Sequence, residues 1–285
     1  MKIQFTKMQA YGNDYIYVDA IHQKLPDLNL LAKKISDRHF GVGGDGLVLI
    51  APSDTCDFRM RIFNPDGTEA EMCGNALRSM SMFVYFHHMT DKELLKIETL
   101  GGIQTVKLFV ENGEVTNISA DIGKPEFAAK KIPVITDGDT FIDKKLKVGD
   151  REFSVSSLSW GNPHTVLWVD DLEELDVAKY GKLVEYGEWF PKRTNVTFAK
   201  LVDESHISIR EWERGTGETI GCGTGCCTAV VIGNLLHKCG RKVEVEQIGG
   251  VLQVEWDEED RVHMTGPAHV VYQGEYEYEA ESTAF

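Results

Sequence analysis

The chain has 285 residues, 42% of them hydrophobic and 26% charged, with a net charge of −15. That is enough chain for one large domain or two medium ones with a substantial core, at the composition of an ordinary soluble globular protein. The acidic balance argues against nucleic acid or an anionic membrane surface as a bulk partner, while a local anion site stays open.

In chain order, the opening "MKIQFTKMQAYGNDY" has no long apolar run. It reads as neither a signal peptide nor a membrane span, so the expectation is a cytoplasmic protein. "KIQFTKMQ", "YIYVDA", "GLVLIAP" and "FRMRIFN" alternate or run apolar with β-branched and aromatic residues, which predicts strands. "LNLLAKKISDRHF" predicts a helix ending near Gly41. "GNALRSMSMFVYFHHM" and "GTGCCTAVVIGNLLHKCG" are apolar nearly all round, which predicts buried helices, with Gly240 suited to a C-terminal cap. "KIETLGGIQTVKL" and "EVEQIGGVLQVEW" each predict strand, turn and strand, and "HVVYQGEY" alternates like a strand. The acidic "DEED" and the terminal "GEYEYEAESTAF" read as solvated surface.

The chain repeats itself. Cys73 and Cys222 are 149 residues apart, and at that spacing Glu69 meets Glu218, Gly74 meets Gly223, Arg61 meets Arg210 and Gly12-Asn13 meets Gly161-Asn162. Gly101-Gly102 and Gly249-Gly250 match at a spacing of 148. The repeat halves run 1–125 and 150–267, with 126–150 the least regular stretch and a candidate inserted hairpin. The predicted class is α+β: two pseudo-symmetric domains, each a sheet curled around a central helix.

Six cysteines in a reducing compartment are expected as thiols rather than a disulfide framework. Zinc fits poorly, because "CGTGCC" has no second close pair and no nearby His ladder. Cys226, Cys227, Cys56 and Cys239 read as core. Cys73 and Cys222 differ, because each stands where a buried helix begins. A helix start has unpartnered N–H groups and favours negative charge, so a thiol there is expected to ionise near neutral pH. The amides of Gly74-Asn75 and Gly223-Thr224 can hold a carboxylate. Two halves presenting two thiols to one cleft suit a two-base proton transfer at a carbon beside a carboxylate, with fixed dipoles stabilising the carbanion and no cofactor.

On "MQAYGNDYIYVD", "RHFGVGGDGLVLI", "FNPDGTEAEMCGNALR", "GNPHTVLWV", "RTNVTF" and "ERGTGETIGCGTG", the sequence resembles the diaminopimelate epimerase family over nearly its whole length. The resemblance implies a cofactor-independent isomerase that interconverts LL- and meso-2,6-diaminoheptanedioate, in lysine and cell-wall precursor synthesis. It implies Cys73 and Cys222 as the catalytic pair, Cys73 the donor and Cys222 the acceptor from LL to meso, with His164 supporting Cys73 and Glu213 supporting Cys222. It implies substrate contacts from Asn13, Asn64, Gly74, Asn75, Asn162, Asn195, Glu213, Arg214, Gly223 and Thr224. Arg214 suits a distal carboxylate, and Glu213 an ammonium group. In the resembled family the chain end returns to the first domain, which gives domains 1–122 plus 268–285 and 123–267.

The sequence departs from the family at Gly46, where some members carry Gln, and at Cys226, where a small residue is usual. Pro65 also stands beside Asn64. Two other readings keep the fold: a related cofactor-free amino-acid racemase, and a non-enzymatic binding or thiol-switch protein that would not need both cysteines. The expected partner is a small amino acid, with neither nucleic acid nor membrane; a homodimer is compatible with the reading.

Overall fold

In the computed structural model, residues 1–279 are described; the end of the predicted first domain and of the acidic tail, residues 280–285, lies outside them. The chain forms two compact units, Met1–Ala120 with the residues from Gly266 on, and Asp121–Thr265. Each is α+β.

The first unit opens with β1 (Lys2–Ala10), β2 (Asn13–Asp19), α1 (Leu28–Ser36), β3 (Leu47–Ala51), β4 (Phe58–Phe63) and β5 (Glu69–Ala70). It continues with α2 (Gly74–Phe86), β6 (Leu94–Thr99), β7 (Gly102–Glu111) and β8 (Glu114–Asp121). Adjacent strands β1–β2 and β3–β4 pair antiparallel, while β2–β3 and β4–β6 pair parallel. Parallel neighbours need a crossover, and α1 and α2 supply the two.

Strand alternation then divides the helices between two faces. Ile16 and Val18 of β2 join α1 residues Leu31, Ala32 and Ile35 in one cluster. Tyr17, pointing the other way, donates its hydroxyl to the Ala76 carbonyl of α2. Helix α2 also packs on β1, β3, β4 and β7, and so has almost no polar face.

The second unit repeats this plan. It runs β9 (Phe141–Val148), β10 (Arg151–Ser159), β11 (Pro163–Trp168), α3 (Val177–Glu185), β12 (Asn195–Asp203), β13 (His206–Glu213) and β14 (Gly217–Thr219). Then come α4 (Gly223–Leu235), β15 (Lys242–Gln247), β16 (Gly250–Trp256) and β17 (Val262–Gly266); β18 (His269–Glu277) returns to the first unit and pairs with β1. Strands β11–β12 and β13–β15 are the parallel pairs here. The helices α1 and α3 start 149 residues apart, as do α2 and α4. Backbone strain repeats too: Gly12 and Gly161, His88 and His237, Gly102 and Gly250, and Asn112 and Asp260 all have positive φ.

Four expectations need correction. The helix predicted over 28–40 stops at Ser36, because the Asp37 carboxylate accepts from the amides of His39 and Phe40 and bends the chain away. The helix predicted to end at Gly240 stops at Leu235. Its left-handed terminal residue is His237 at φ 56°, with the Lys238 amide reaching back to the Gly233 carbonyl. His88 at φ 53° closes α2 in the same way. Segment 126–150 is not an insertion: β9 flanks β10 as β18 flanks β1, and Ala129, Ile132, Val134 and Phe141 join the unit's core. Cys56 is half-buried in a turn held by the Ser53 hydroxyl, whereas Cys226, Cys227 and Cys239 are buried. None of the six cysteines is in a disulfide. No helix among the described residues is long and apolar enough to cross a membrane.

A non-glycine residue in the left-handed region costs about 1–2 kcal/mol. His237→Gly should therefore keep stability or gain up to about 1 kcal/mol in urea unfolding, whereas His237→Val should lose at least as much. Equal stability of the two variants would show that this cap is not strained.

Candidate active site

Each unit places its cysteine at the residue before a buried helix. Cys73 caps α2 at φ −141° and ψ 121°, and Cys222 caps α4 at φ −133° and ψ 111°; neither side chain bonds to its own helix amides in the manner of a serine cap. A sulfur there lies beside amides that the helix ladder does not use.

In the first unit, the Cys73 thiol donates to Asn13 Oδ1 at 3.4 Å. The amide cannot turn round, because Asn13 Nδ2 donates to Asp45 Oδ2 at 2.7 Å. A carboxylate only accepts, so it holds the nitrogen end and leaves the oxygen for the sulfur. Arg38 holds Asp45 and Asp14 together, at 2.8 and 2.7 Å, and Lys7 reaches Asp14 at 2.6 Å. The loop between α1 and β3 is thus an ionic clamp on Asn13.

Asn75 is buried and accepts from Arg78 Nη2 at 2.6 Å, which stiffens the first turn of α2. Asn64 sits in a tight turn, donating to the Thr68 hydroxyl at 3.0 Å, with Gly67 closing the turn on its carbonyl. Gly46, with φ 156°, leaves no room for a side chain: a Cβ would stand 2.3 Å from the Phe63 carbonyl oxygen and 3.0 Å from Tyr15. With this backbone, the Gln of other sequences cannot be accommodated there.

Tyr15 is a site residue that the sequence reading missed. It is buried, and Cys73 is the foremost cause that pushes its hydroxyl far above the ordinary range. It stands 149 residues before His164, so the repeat itself was the available signal.

In the second unit, Cys222 is 9% exposed. Its sulfur lies 3.4 Å from the Thr224 hydroxyl, and its amide donates to Gln247 Oε1 at 3.0 Å. Gln247 approaches only because Gly221 has no side chain; a Cβ there would lie 2.7 Å from Oε1. Gln247 also accepts from the Cys226 thiol at 3.4 Å, so Cys226 packs as a polar partner.

Glu213 accepts from the Thr219 hydroxyl at 2.7 Å. The Arg214 amide donates to Asn195 Oδ1 at 2.9 Å, and Asn195 Nδ2 donates to the Pro163 carbonyl at 3.0 Å. Asn195 thereby ties together "GNPH" and "ERG", and the exposed Arg214 guanidinium touches the Lys192 carbonyl. Asn162 lies in the turn before β11, where its carbonyl accepts from the Trp160 amide at 3.2 Å. Glu185, at the end of α3, accepts from the Trp212 indole and the Gly215 amide, at 2.8 and 2.9 Å. This buried carboxylate fixes the turn that carries Arg214.

Burial pushes the Cys222 thiol well above its ordinary range, with Glu213 and Glu211 adding to the rise. The Thr224 hydroxyl and the Gly225 amide oppose it. The expectation of a thiol ionised near neutral pH therefore fails for Cys222 in this state: desolvation and two carboxyl groups outweigh the helix terminus. Among the described residues, no group of three His, Cys, Asp or Glu side chains gathers as a metal site.

A sequence profile for diaminopimelate epimerase matches residues 5–128 and 156–271. The protein is 49% identical over 274 residues to the diaminopimelate epimerase of Methanococcus maripaludis strain C5, covering 96% of this chain and 99% of the relative. The chain belongs to the diaminopimelate epimerase family. It is also 44% identical over 281 residues to the diaminopimelate epimerase of Desulfovibrio desulfuricans, covering 96% and 98%. In fold it is similar to a phenazine biosynthesis protein of the PhzF family from Bacillus anthracis, at a TM-score of 0.70, 20% identity and coverage of 96% and 99%. It is similar as well to a hydroxyproline epimerase from Agrobacterium vitis, at 0.68, 13% and coverage of 96% and 92%. Epimerase family and α+β class thus stand as the sequence implied.

His164 is fully buried on β11, opposite Asn195, and neither ring nitrogen has a hydrogen-bond partner. Burial, and then the charge of Arg214, push it down to about 3, so it is a neutral imidazole at physiological pH. An unfolded histidine takes up a proton below 6.5 while the folded one does not. Stability contributed by His164 is therefore lost as pH falls from 6.5 towards 3, at up to about 1.4 kcal/mol per pH unit. His164→Leu should flatten the fall of urea stability between pH 7 and 4; an unchanged slope would show that the imidazole is protonated in the fold.

Proposed function

We propose that this protein interconverts LL- and meso-2,6-diaminoheptanedioate by proton transfer at one α-carbon, with Cys73 and Cys222 as two bases. What carries the reading is the matched pair of helix-start cysteines, within a chain whose family membership runs nearly end to end. In the LL to meso direction Cys222 removes the α-proton and the Cys73 thiol delivers its own to the opposite face; the roles exchange in reverse. One thiol and one thiolate enter the reaction and one of each leaves it, so charge balances with no metal or organic cofactor.

The surroundings of the two sulfurs differ. Cys73 donates to an amide oxygen, which favours the thiol. At Cys222 the Thr224 hydroxyl and the Gly225 amide favour the thiolate, against the larger opposing effect of burial and of Glu213 and Glu211. Glu213, held by Thr219, supports Cys222, and His164 supports Cys73 as a neutral group. Asn13, Asn64, Asn162 and Asn195, with Arg214, read the two amino-acid heads. The amides of Gly74, Asn75, Gly223 and Thr224 take the carboxylate beside the reacting carbon. Each of the domains 1–122 plus 268–285 and 123–267 contributes one cysteine to the reaction. The site of action is the cytoplasm and the partner a free amino acid, with no nucleic acid or membrane; association as a homodimer is compatible with the mechanism.

In deuterium oxide, the product of the first turnover should carry label at a single α-carbon. Cys73→Ala and Cys222→Ala should each lower epimerisation by a factor on the order of 10²–10⁴. If both variants keep near-full activity, the two-base mechanism is wrong; if a panel of other amino acids exchanges faster than diaminopimelate, the substrate is wrong.

A further inference from the structure

Glu211 takes no part in the mechanism above, yet it is the most anomalous acid in the second unit. It is 1% exposed, and neither carboxyl oxygen has a hydrogen-bond partner. On β13 the alternation Ile207, Ile209, Glu211 places it on the buried face, among apolar positions. The repeat shows what that position otherwise holds. The residue 149 positions earlier is Ile62, also buried, and it stands in a unit whose helix carries Ala76 where α4 carries Gly225.

The exchange of that second residue is linked to the first. A Cβ on Gly225 would lie 2.5 Å from Glu211 Oε2, so the carboxyl fills the space an alanine would take. Gly225 stands in the first turn of α4, three residues after Cys222, and its amide favours the Cys222 thiolate. One glycine thus separates the thiol from the acid.

We propose that Glu211 is a positioning residue that shares one ionisation with Cys222: the pair carries a single negative charge, resting on sulfur or on carboxylate but not on both. Loss of one proton to solvent gives either thiolate with carboxylic acid, or thiol with carboxylate. The first form can accept an α-proton and the second cannot, so Glu211 sets how much of Cys222 is ready as a base.

Burial pushes both groups up, and each is raised further by Glu213, as expected of acids in one pocket. The other neighbours are accounted for. Thr197 stands directly across the β12–β13 ladder from Glu211, and Thr219 opposite on β14 is engaged with Glu213. On α4, Cys226 is turned to Gln247, and on β11 His164 is neutral.

This inference rests on the role assigned to Cys222, but its test needs no substrate. The full-length protein is alkylated with iodoacetamide across a pH series, and Cys222 and Cys73 modification is read by peptide mass spectrometry. In Glu211→Gln the Cys222 midpoint should fall by about one pH unit, a roughly tenfold faster reaction at fixed pH below it, with Cys73 unmoved. Glu211→Ile paired with Gly225→Ala installs the first unit's own pair and should give the same shift if the Gln variant folds poorly. An unmoved Cys222 midpoint in a folded variant, or an equal shift at both cysteines, overturns the proposal. Loss of the two-base mechanism in turnover assays would leave the alkylation result standing, so the two failures are distinguishable.

Discussion

A buried helix must begin somewhere, and its first-turn amides are polar groups that its own ladder does not use. In most helices a serine or aspartate side chain closes that end. Here the residue in the capping position is a cysteine in both units, with glycine following, so the end stays accessible to an acyl or carboxylate group. Much else in the fold follows from that choice. The helix is apolar because strands pack around it. The strands reach its start because the two parallel crossovers put helices on opposite faces. The loops at that end then carry the polar residues that surround each sulfur.

The two units share a backbone and differ in chemistry at matched positions. Tyr15 stands where His164 does, Gly46 where Asn195 does, Asn64 where Glu213 does, Asn75 where Thr224 does and Ile62 where Glu211 does. The first unit surrounds its sulfur with an amide oxygen oriented by an ionic clamp. The second surrounds its sulfur with acids, a hydroxyl and a backbone amide. A racemising centre with two equivalent bases would need no such difference. The substrate of the family relatives has a reacting head and a distal head, so the polar sets need not match.

Much of this plan was legible. Spacings of 149 and 148 residues showed the repeat, because glycines and cysteines at a helix start tolerate little substitution. Strand alternation showed the α+β class. Helix ends were less legible: Asp37 and His237 act through side-chain capture and a left-handed turn, and neither changes the apolar pattern that precedes it. The helix α3 was missed although it lies 149 residues after α1 and has as clear an apolar face, because "VAKYGKLVE" carries a glycine at its centre. That glycine, Gly181, is there for packing, since a Cβ would collide with Trp212 at 2.5 Å. Glu211 was hidden for the opposite reason: a charged letter in an alternating strand reads as an outward-facing residue, and only its register after Ile207 and Ile209 places it inside.

The energetic sign of Glu211 separates a structural explanation from a functional one. Burial raises the ionisation of the folded carboxyl well above 4.5, the value at which the unfolded chain ionises it. Stability therefore falls as pH rises above that value until the folded pKa is reached. A buried polar group without a hydrogen bond adds a penalty of about 1–3 kcal/mol. An isoleucine, which the repeat already uses at the matched position, carries neither cost. An acid that weakens the fold at neutral pH, in a pocket opened for it by a glycine, has no packing rationale. Its proximity to Cys222 through Gly225 supplies the remaining one, a proton equilibrium that the apolar residue cannot provide.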